Sequence, residues 1–320
     1  MKRFSLFIVA VAAFAASPAL SQTWPSKPIR AVIPFAAGSL TDVLPRVVFD
    51  QAGKQLGQTI VVENRTGAGG TIGVGAVARA DPDGYTLLAN SSAHTIAPAI
   101  YPKLAYDTAR DLVAVISLGQ TPMVMIMSPD KGHKTVQDFV KAAKSKPDSI
   151  NFASAGVGTA THLAAERFIH AAGIKAVHIP HRGGAEALTD VIAGRVDFYF
   201  CPLGTAIPQI QQGRVLALAV SSPTRAAALP AVPSTLEAGY ADSDYTFWVG
   251  VFAPAKTTVG IVSRLHTELQ KAMQAVSVKS RLTELGVDAM DLTSTQFDAL
   301  VQKEIVTSAA LAKAAGLKPN

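Results

Sequence analysis

Short apolar runs rich in Val, Ile and Leu recur along the chain, and single helix-length segments separate most of them. Strands are predicted at Ile29–Ile33, Thr59–Glu63, Tyr85–Ala89, Val113–Ser117, Met123–Met127, Asn151–Ala153, Ala176–Pro180, Val196–Phe200, Val215–Val220 and Phe247–Phe252. Helices are predicted at Thr41–Leu56, Thr71–Ala80, Thr135–Lys146, Ala160–Ala172, Ala185–Ala193, Thr205–Gln212, Thr258–Ala275, Lys279–Leu285 and Thr295–Ala315. A strand that reaches its neighbour through a helix runs parallel to it, and such helices cover both faces of the sheet. The fold class is therefore α/β, with mainly parallel sheets flanked by helices.

A chain of 320 residues suggests two domains, or one large one. Its 49% apolar and 16% charged residues supply a core and exclude a disordered protein. Cys201 is the only cysteine, which excludes an intrachain disulfide framework and a multi-cysteine zinc site. The formal charge of +6 is spread along the chain without basic runs or interleaved aromatics, so nucleic acid is not an expected partner. At the start, basic Met1-Lys2-Arg3, the apolar run Phe4–Ala16 and the small residues Ser17–Ser21 form the three-part pattern of a secretory signal peptide. The run is too short to span a bilayer, which needs ~20 apolar residues. Cleavage is expected before Gln22, or after Ala19, leaving a soluble exported protein without a lipid-anchoring cysteine.

Parallel sheets bind ligands beyond the carboxyl ends of their strands, which directs attention to the strand-to-helix turns. Three are rich in small and hydroxyl residues: Pro34–Asp42, Asn90–Thr95 and Ser154–Thr159. Backbone N–H groups at a helix start, beside Ser and Thr hydroxyls, can hold an anion, although each turn alone is also an ordinary cap. Nucleotide and hydrolase signatures are absent. Gly73-Val74-Gly75-Ala76-Val77-Ala78 lies inside a predicted helix, and no G-x-x-x-x-G-K-[ST] or G-x-S-x-G occurs. Ser154 and His162 could be nucleophile and base but suit capping better. His178 and His181, three apart on a strand, should point to opposite faces and share no metal. Cys201 reads as a buried or pocket-lining thiol. No metal or cofactor is expected.

Several pieces of the chain, taken in order, resemble the solute-binding receptors of tripartite tricarboxylate transporters, the Bug family. They are Pro34-Phe35 through Asp42, Val62-Glu63-Asn64-Arg65 with Gly67-Ala68-Gly69-Gly70, and Asp83-Gly84-Tyr85-Thr86-Leu87-Leu88. Asn151–Thr159 with His162, Gly194-Arg195-Val196-Asp197 and Phe252-Ala253-Pro254-Ala255 complete the set. The resemblance spans nearly everything after the signal peptide.

It implies a two-lobed periplasmic binding protein of the Venus-flytrap kind, not an enzyme, with a small carboxylate held between the lobes. Residues 22–120 and 247–320 would form one lobe and 121–246 the other. The expected ligand-binding positions are Phe35, Ser39, Thr41 and Asp42 on the first turn and Ser154, Thr159 and His162 on the second. Ser91 and Cys201 are expected on turns facing the same cleft. The receptor would act as a monomer and hand its ligand to membrane transporter subunits, or to a sensor. A secreted α/β hydrolase or isomerase with an atypical site is the alternative. Leu40 and the Cys201-Pro202-Leu203-Gly204 turn are more apolar than the family pattern. They suggest a monocarboxylate or an apolar-bodied dicarboxylate rather than citrate.

Overall fold

The computed structural model describes residues 24–314 except Pro102 and Asp148. The expected signal peptide, residues 1–21, lies outside the described residues. The first part of the chain alternates as predicted: β1 (Ile29–Ile33), α1 (Leu40–Leu56), β2 (Ile60–Asn64), α2 (Thr71–Ala78), β3 (Thr86–Ser91) and the one-turn α3 (Ala97–Ile100). Then follow β4 (Leu112–Met127), α4 (Val136–Ser145), β5 (Asn151–Ser154), α5 (Ala160–Ala172), β6 (Val177–Pro180) and α6 (Gly184–Ile192). The chain continues through β7 (Phe198–Pro202), α7 (Leu203–Gln211), β8 (Leu216–Val220) and β9 (Thr246–Pro254). It closes with α8 (Val259–Gln274), α9 (Val276–Glu284) and α10 (Ser294–Ala314). Among the described residues no helix is long and apolar enough to cross a membrane.

Local chemistry sets the boundaries. Thr135 caps α4 by accepting the Asp138 N–H at 3.0 Å, as the Thr-x-x-Asp spacing predicts. Helix α5 stops at Gly173, which takes the left-handed conformation at φ +60°.

The strands form one curled sheet in the order β2-β1-β3-β9-β4-β7-β5-β6, with β8 on the second half of β4. β1 pairs in parallel with β2 and β3, and β5 in parallel with β6 and β7. The antiparallel pairs all involve β4 or β9. Residues 113–117 and 123–127, expected as separate strands, are two parts of the 16-residue β4. Its first part pairs with β9 as far as Pro122↔Thr246, and from Met123 onward it pairs with β7 and β8. Two register shifts, one between Ser117 and Gly119, let it bend through this seam.

Each half of the sheet is covered on both faces. On β1, Ile29, Ala31 and Ile33 meet the core under α1 and α8, while Val32 faces Val74, Val77 and Phe297 on the other side. On β7, Phe198 and Phe200 face one side, and Tyr199 and Cys201 pack with Ala187, Val191 and Ala206 of α6 and α7 on the other. The turns that leave the carboxyl ends of β1 and β5 lead into the starts of α1 and α5.

Candidate functional site

Two β–turn–α units carry the candidate site, and they are built alike. Gly38-Ser39-Leu40-Thr41-Asp42 opens α1, and Gly158-Thr159-Ala160-Thr161-His162 opens α5. Gly38 and Gly158 turn the chain at φ +80° and +76°, where a side chain would be strained. In each unit the glycine N–H donates to the side chain four residues on: Gly38 to Asp42 Oδ2 at 2.9 Å, Gly158 to His162 Nδ1 at 3.2 Å. In each, the residue before the helix donates its N–H three residues back: Ser39 to Ala36 at 3.3 Å, Thr159 to Gly156 at 3.2 Å. Ser39 and Thr159 hold the N-cap positions, yet neither hydroxyl accepts a helix N–H. The first N–H groups of both helices thus stay without a side-chain acceptor, and α5 has no acidic residue in its first turn to offset its positive end.

In the first turn Asp42, 2% exposed, accepts from Gly38 N, from Arg46 Nε at 2.9 Å and from Asn64 Nδ2 at 2.8 Å. Burial alone would raise its pKa. The donations from Asn64, Gly38 and Arg46 outweigh it and hold the carboxyl below its ordinary value. Asn64 also donates to the Phe35 carbonyl at 3.0 Å, which ties the turn to the end of β2. Asp42 thus braces the turn by tying it to α1 and to the end of β2. Thr41 is buried, and the Ser39 hydroxyl is buried without a partner. Phe35, half-buried, lies over Gly70, where an added Cβ would sit 3.5 Å from its ring. Leu40 packs against the main core, so it is not evidence for an apolar ligand.

In the second turn Ser154 Oγ lies 2.6 Å from His178 Nε2, 3.0 Å from Gly156 N and 3.1 Å from Gly156 O. Thr159 Oγ1 donates to Gly156 O at 2.7 Å and meets Thr161 Oγ1 at 3.0 Å. His162, accepting from Gly158 at Nδ1, presents Nε2 to Glu166 Oε1 at 3.4 Å. Its ring stacks on His178 at 3.9 Å and 12°. The serine–histidine contact thus involves His178 rather than His162. Burial, then His162 and His181, depress the His178 pKa to about 3, which makes it a weak base, and Ser154 is fully buried. His181 bonds Asp190 at 2.8 Å, apart from His178. Among the described residues no group of three or more His, Cys, Asp or Glu could hold a metal ion.

Tyr101 lies between the Gly69 loop, beside the first turn, and the second turn. A Cβ on Gly69, beside the first turn, would lie 2.5 Å from its hydroxyl, and one on Gly158 would lie 3.9 Å from its ring. Ile100, next to it, would be 3.1 Å from that same Gly158 Cβ. Ser91 and Cys201 fall on strands rather than turns. Ser91 ends β3 opposite Val249, and its N–H donates to Asn90 Oδ1 at 2.8 Å. Cys201 pairs with Val124 inside an apolar cluster at 0% exposure, and burial pushes its thiol pKa far up. It is a core residue and no cleft-facing donor. In the third turn His94 packs on Phe252 at 4.9 Å, and burial lowers its pKa to about 4.

The sequence profile described as "Tripartite tricarboxylate transporter family receptor" matches residues 44–317. The chain belongs to this receptor family. The receptor is also similar to solved structures. The periplasmic binding protein BugD is 33% identical with a TM-score of 0.84, over 93% of this chain and 100% of that one. An R. palustris protein determined with adipate is 28% identical with a TM-score of 0.86, over 93% and 100%. MatC from Rhodopseudomonas palustris, determined with bound malate, is 31% identical with a TM-score of 0.83, over 90% and 99%. The receptor is accordingly a two-lobed solute-binding protein, not an enzyme.

Three residues of the candidate site have roles not evident from the sequence: Asn64, Tyr101 and His178. Asn64 and Tyr101 act through partners far along the chain. His178 reads as a strand histidine with no metal to share, and nothing in the sequence pairs it with Ser154. The repeat Gly-[Ser/Thr]-x-Thr four residues before a polar anchor is visible in the sequence, and aligning the two turns would have revealed their common build.

Proposed function

We propose that the receptor captures a small carboxylate between the first turn, at Phe35, Ser39 and Thr41, and the second, at Ser154, Thr159 and His162. Asp42 braces the first turn and Ser91 lines its flank. The lobes are residues 22–120 with 247–320, and residues 121–246. The receptor works as a monomer in the periplasm after loss of residues 1–21 and passes its ligand to membrane subunits of a transporter.

One observation carries this reading: two turns of the same build open helices whose starts are uncapped, the Ser39 hydroxyl has no partner, and Tyr101 lies between the second turn and the Gly69 loop beside the first. Carboxylates suit such donors, because charge-assisted hydrogen bonds are about twice as strong as neutral ones. The malate and adipate held by the two similar proteins fit the same chemistry. A ligand touching both turns favours the closed arrangement because it makes its full set of contacts only there.

Calorimetry with malate and adipate tests the reading. Thr159→Val should keep the fold and weaken binding by roughly 1.5–3 kcal/mol, the worth of a hydrogen bond to a charged group. Unchanged affinity would reduce Thr159 to a structural residue.

A further inference from the structure

Three donors converge on one oxygen in the second turn. Gly156 O lies 3.1 Å from Ser154 Oγ, 2.7 Å from Thr159 Oγ1 and 3.2 Å from Thr159 N. A carbonyl oxygen has two lone pairs, so one donor is in excess. The matching carbonyl of the first turn, Ala36, receives the Ser39 N–H, and the residue matching Ser154 there is Pro34, which has no hydroxyl. The excess therefore belongs to the second turn, where the Ser154 and Thr159 hydroxyls add to the backbone donor.

Counting protons leaves two arrangements at the His178 contact. Ser154 has a single hydroxyl proton. Gly156 O can only accept, and Gly156 N–H can only donate. With the serine proton on Gly156 O, the 2.6 Å contact to His178 Nε2 is a donation from the ring to Oγ; with it on His178 Nε2, the serine donates and the ring carries its proton at Nδ1. The ring is held in place, stacked against Phe152 at 4.8 Å and 18° and against His162 at 3.9 Å and 12°.

We propose that His178 is a positioning residue of the carboxylate site. Its Nε2–H grips Ser154 Oγ so that the Ser154 and Thr159 hydroxyl protons converge at Gly156 O, from where they turn to an incoming carboxylate oxygen. This rests on the binding role proposed for the second turn. It differs from a packing role because it requires one tautomer of a neutral ring and acts only through Ser154.

The test combines nitrogen-detected NMR of the full chain with calorimetric titration of malate and adipate. The free receptor should show His178 protonated at Nε2. His178→Phe keeps the stacking surface but removes the donor, and should weaken binding about tenfold, the upper end of the range for a neutral hydrogen bond. His178→Gln, which restores a side-chain N–H, should recover most of that loss. In a Ser154→Ala background His178→Phe should have no further effect. An Nδ1-protonated ring overturns the proposal, whether or not a probe binds and whether or not a variant folds. Equal losses from His178→Phe with and without Ser154 also overturn it, because the ring would then act through packing. If Ser154→Ala weakens binding and His178→Phe does not, the positioning role alone falls. If Ser154→Ala leaves an existing affinity unchanged, the binding role of the turn falls first.

Discussion

Asp42 is nearly fully buried and still holds its charge, because N–H donors from the turn, from α1 and from the end of β2 meet it. The sign of its pH effect follows. Its pKa is lower folded than unfolded, so the stabilisation is complete above the unfolded value, near 3.8, and is lost as pH falls through the folded value. Asp42→Asn should remove this acid-side loss. At neutral pH the same change should cost on the order of 1–3 kcal/mol, since the amide turns an N–H toward existing donors. Urea unfolding from pH 2.5 to 7 would show both effects, and curves parallel to wild type would refute them. Phe35, Ser39 and Thr41 could be placed from the sequence because one contiguous turn carries them. Cys201 could not, because whether a residue ends a strand or begins a turn depends on how far β7 stays paired with β4, and that pairing runs to Pro202.

At the scale of elements, sequence and structure agree best where termini carry their own chemistry. Helix α5 begins after Gly158-Thr159 and ends at Gly173, and its predicted bounds are the observed ones. They part at β4, where Gly119 and Pro122 suggest a break. Pairing with β9 carries the strand through, Gly119 taking φ +153° beside a register shift. Tertiary pairing outweighs local preference there. Helix α10 is tied to β9 by Trp248 Nε1 donating to Glu304 Oε2 at 2.8 Å. Burial lifts the Glu304 pKa to about 7, against the opposing pull of that bond, Arg167 and Lys303. An acid whose folded pKa is raised binds more protons folded than unfolded, so stability falls as pH climbs from about 4.5 to about 7. Glu304→Gln should flatten that slope and exceed wild type above pH 7 by on the order of 1–3 kcal/mol. Chemical denaturation at pH 5 and pH 8 measures it; a variant with an undiminished slope would rule out Glu304 as the source.

Across the whole molecule, the halves also meet away from the two turns. Gly204 at the start of α7 lies against Leu285, just past α9, and a Cβ at Gly204 would overlap the Leu285 carbonyl. A Cβ on Gly286 would in turn meet Gly204 N at 3.2 Å. Gly204→Ala should therefore wedge the lobes apart, raising the radius of gyration in solution scattering and weakening carboxylate binding while leaving helix content unchanged. An unaltered scattering curve would show that the contact sets no limit. Ligand should also stabilise the intact receptor, by ~2.7 kcal/mol at 100 times Kd. A series of mono- and dicarboxylates that leaves Tm unmoved would oppose the binding reading.

The crossing itself is made by β4 and β9, hydrogen-bonded to each other from Leu112↔Pro254 to Pro122↔Thr246. Further ties come where Gln120 and Asp288 exchange backbone bonds at 2.8 Å in both directions. Two loose linkers would let the jaws swivel freely. A laced ribbon yields to bending and twisting more readily than to sliding, so a change in the angle between the jaws would have to flex it like a leaf spring. A docking protein that grips both jaws and flexes this spring would weaken the hold on the cargo without touching it.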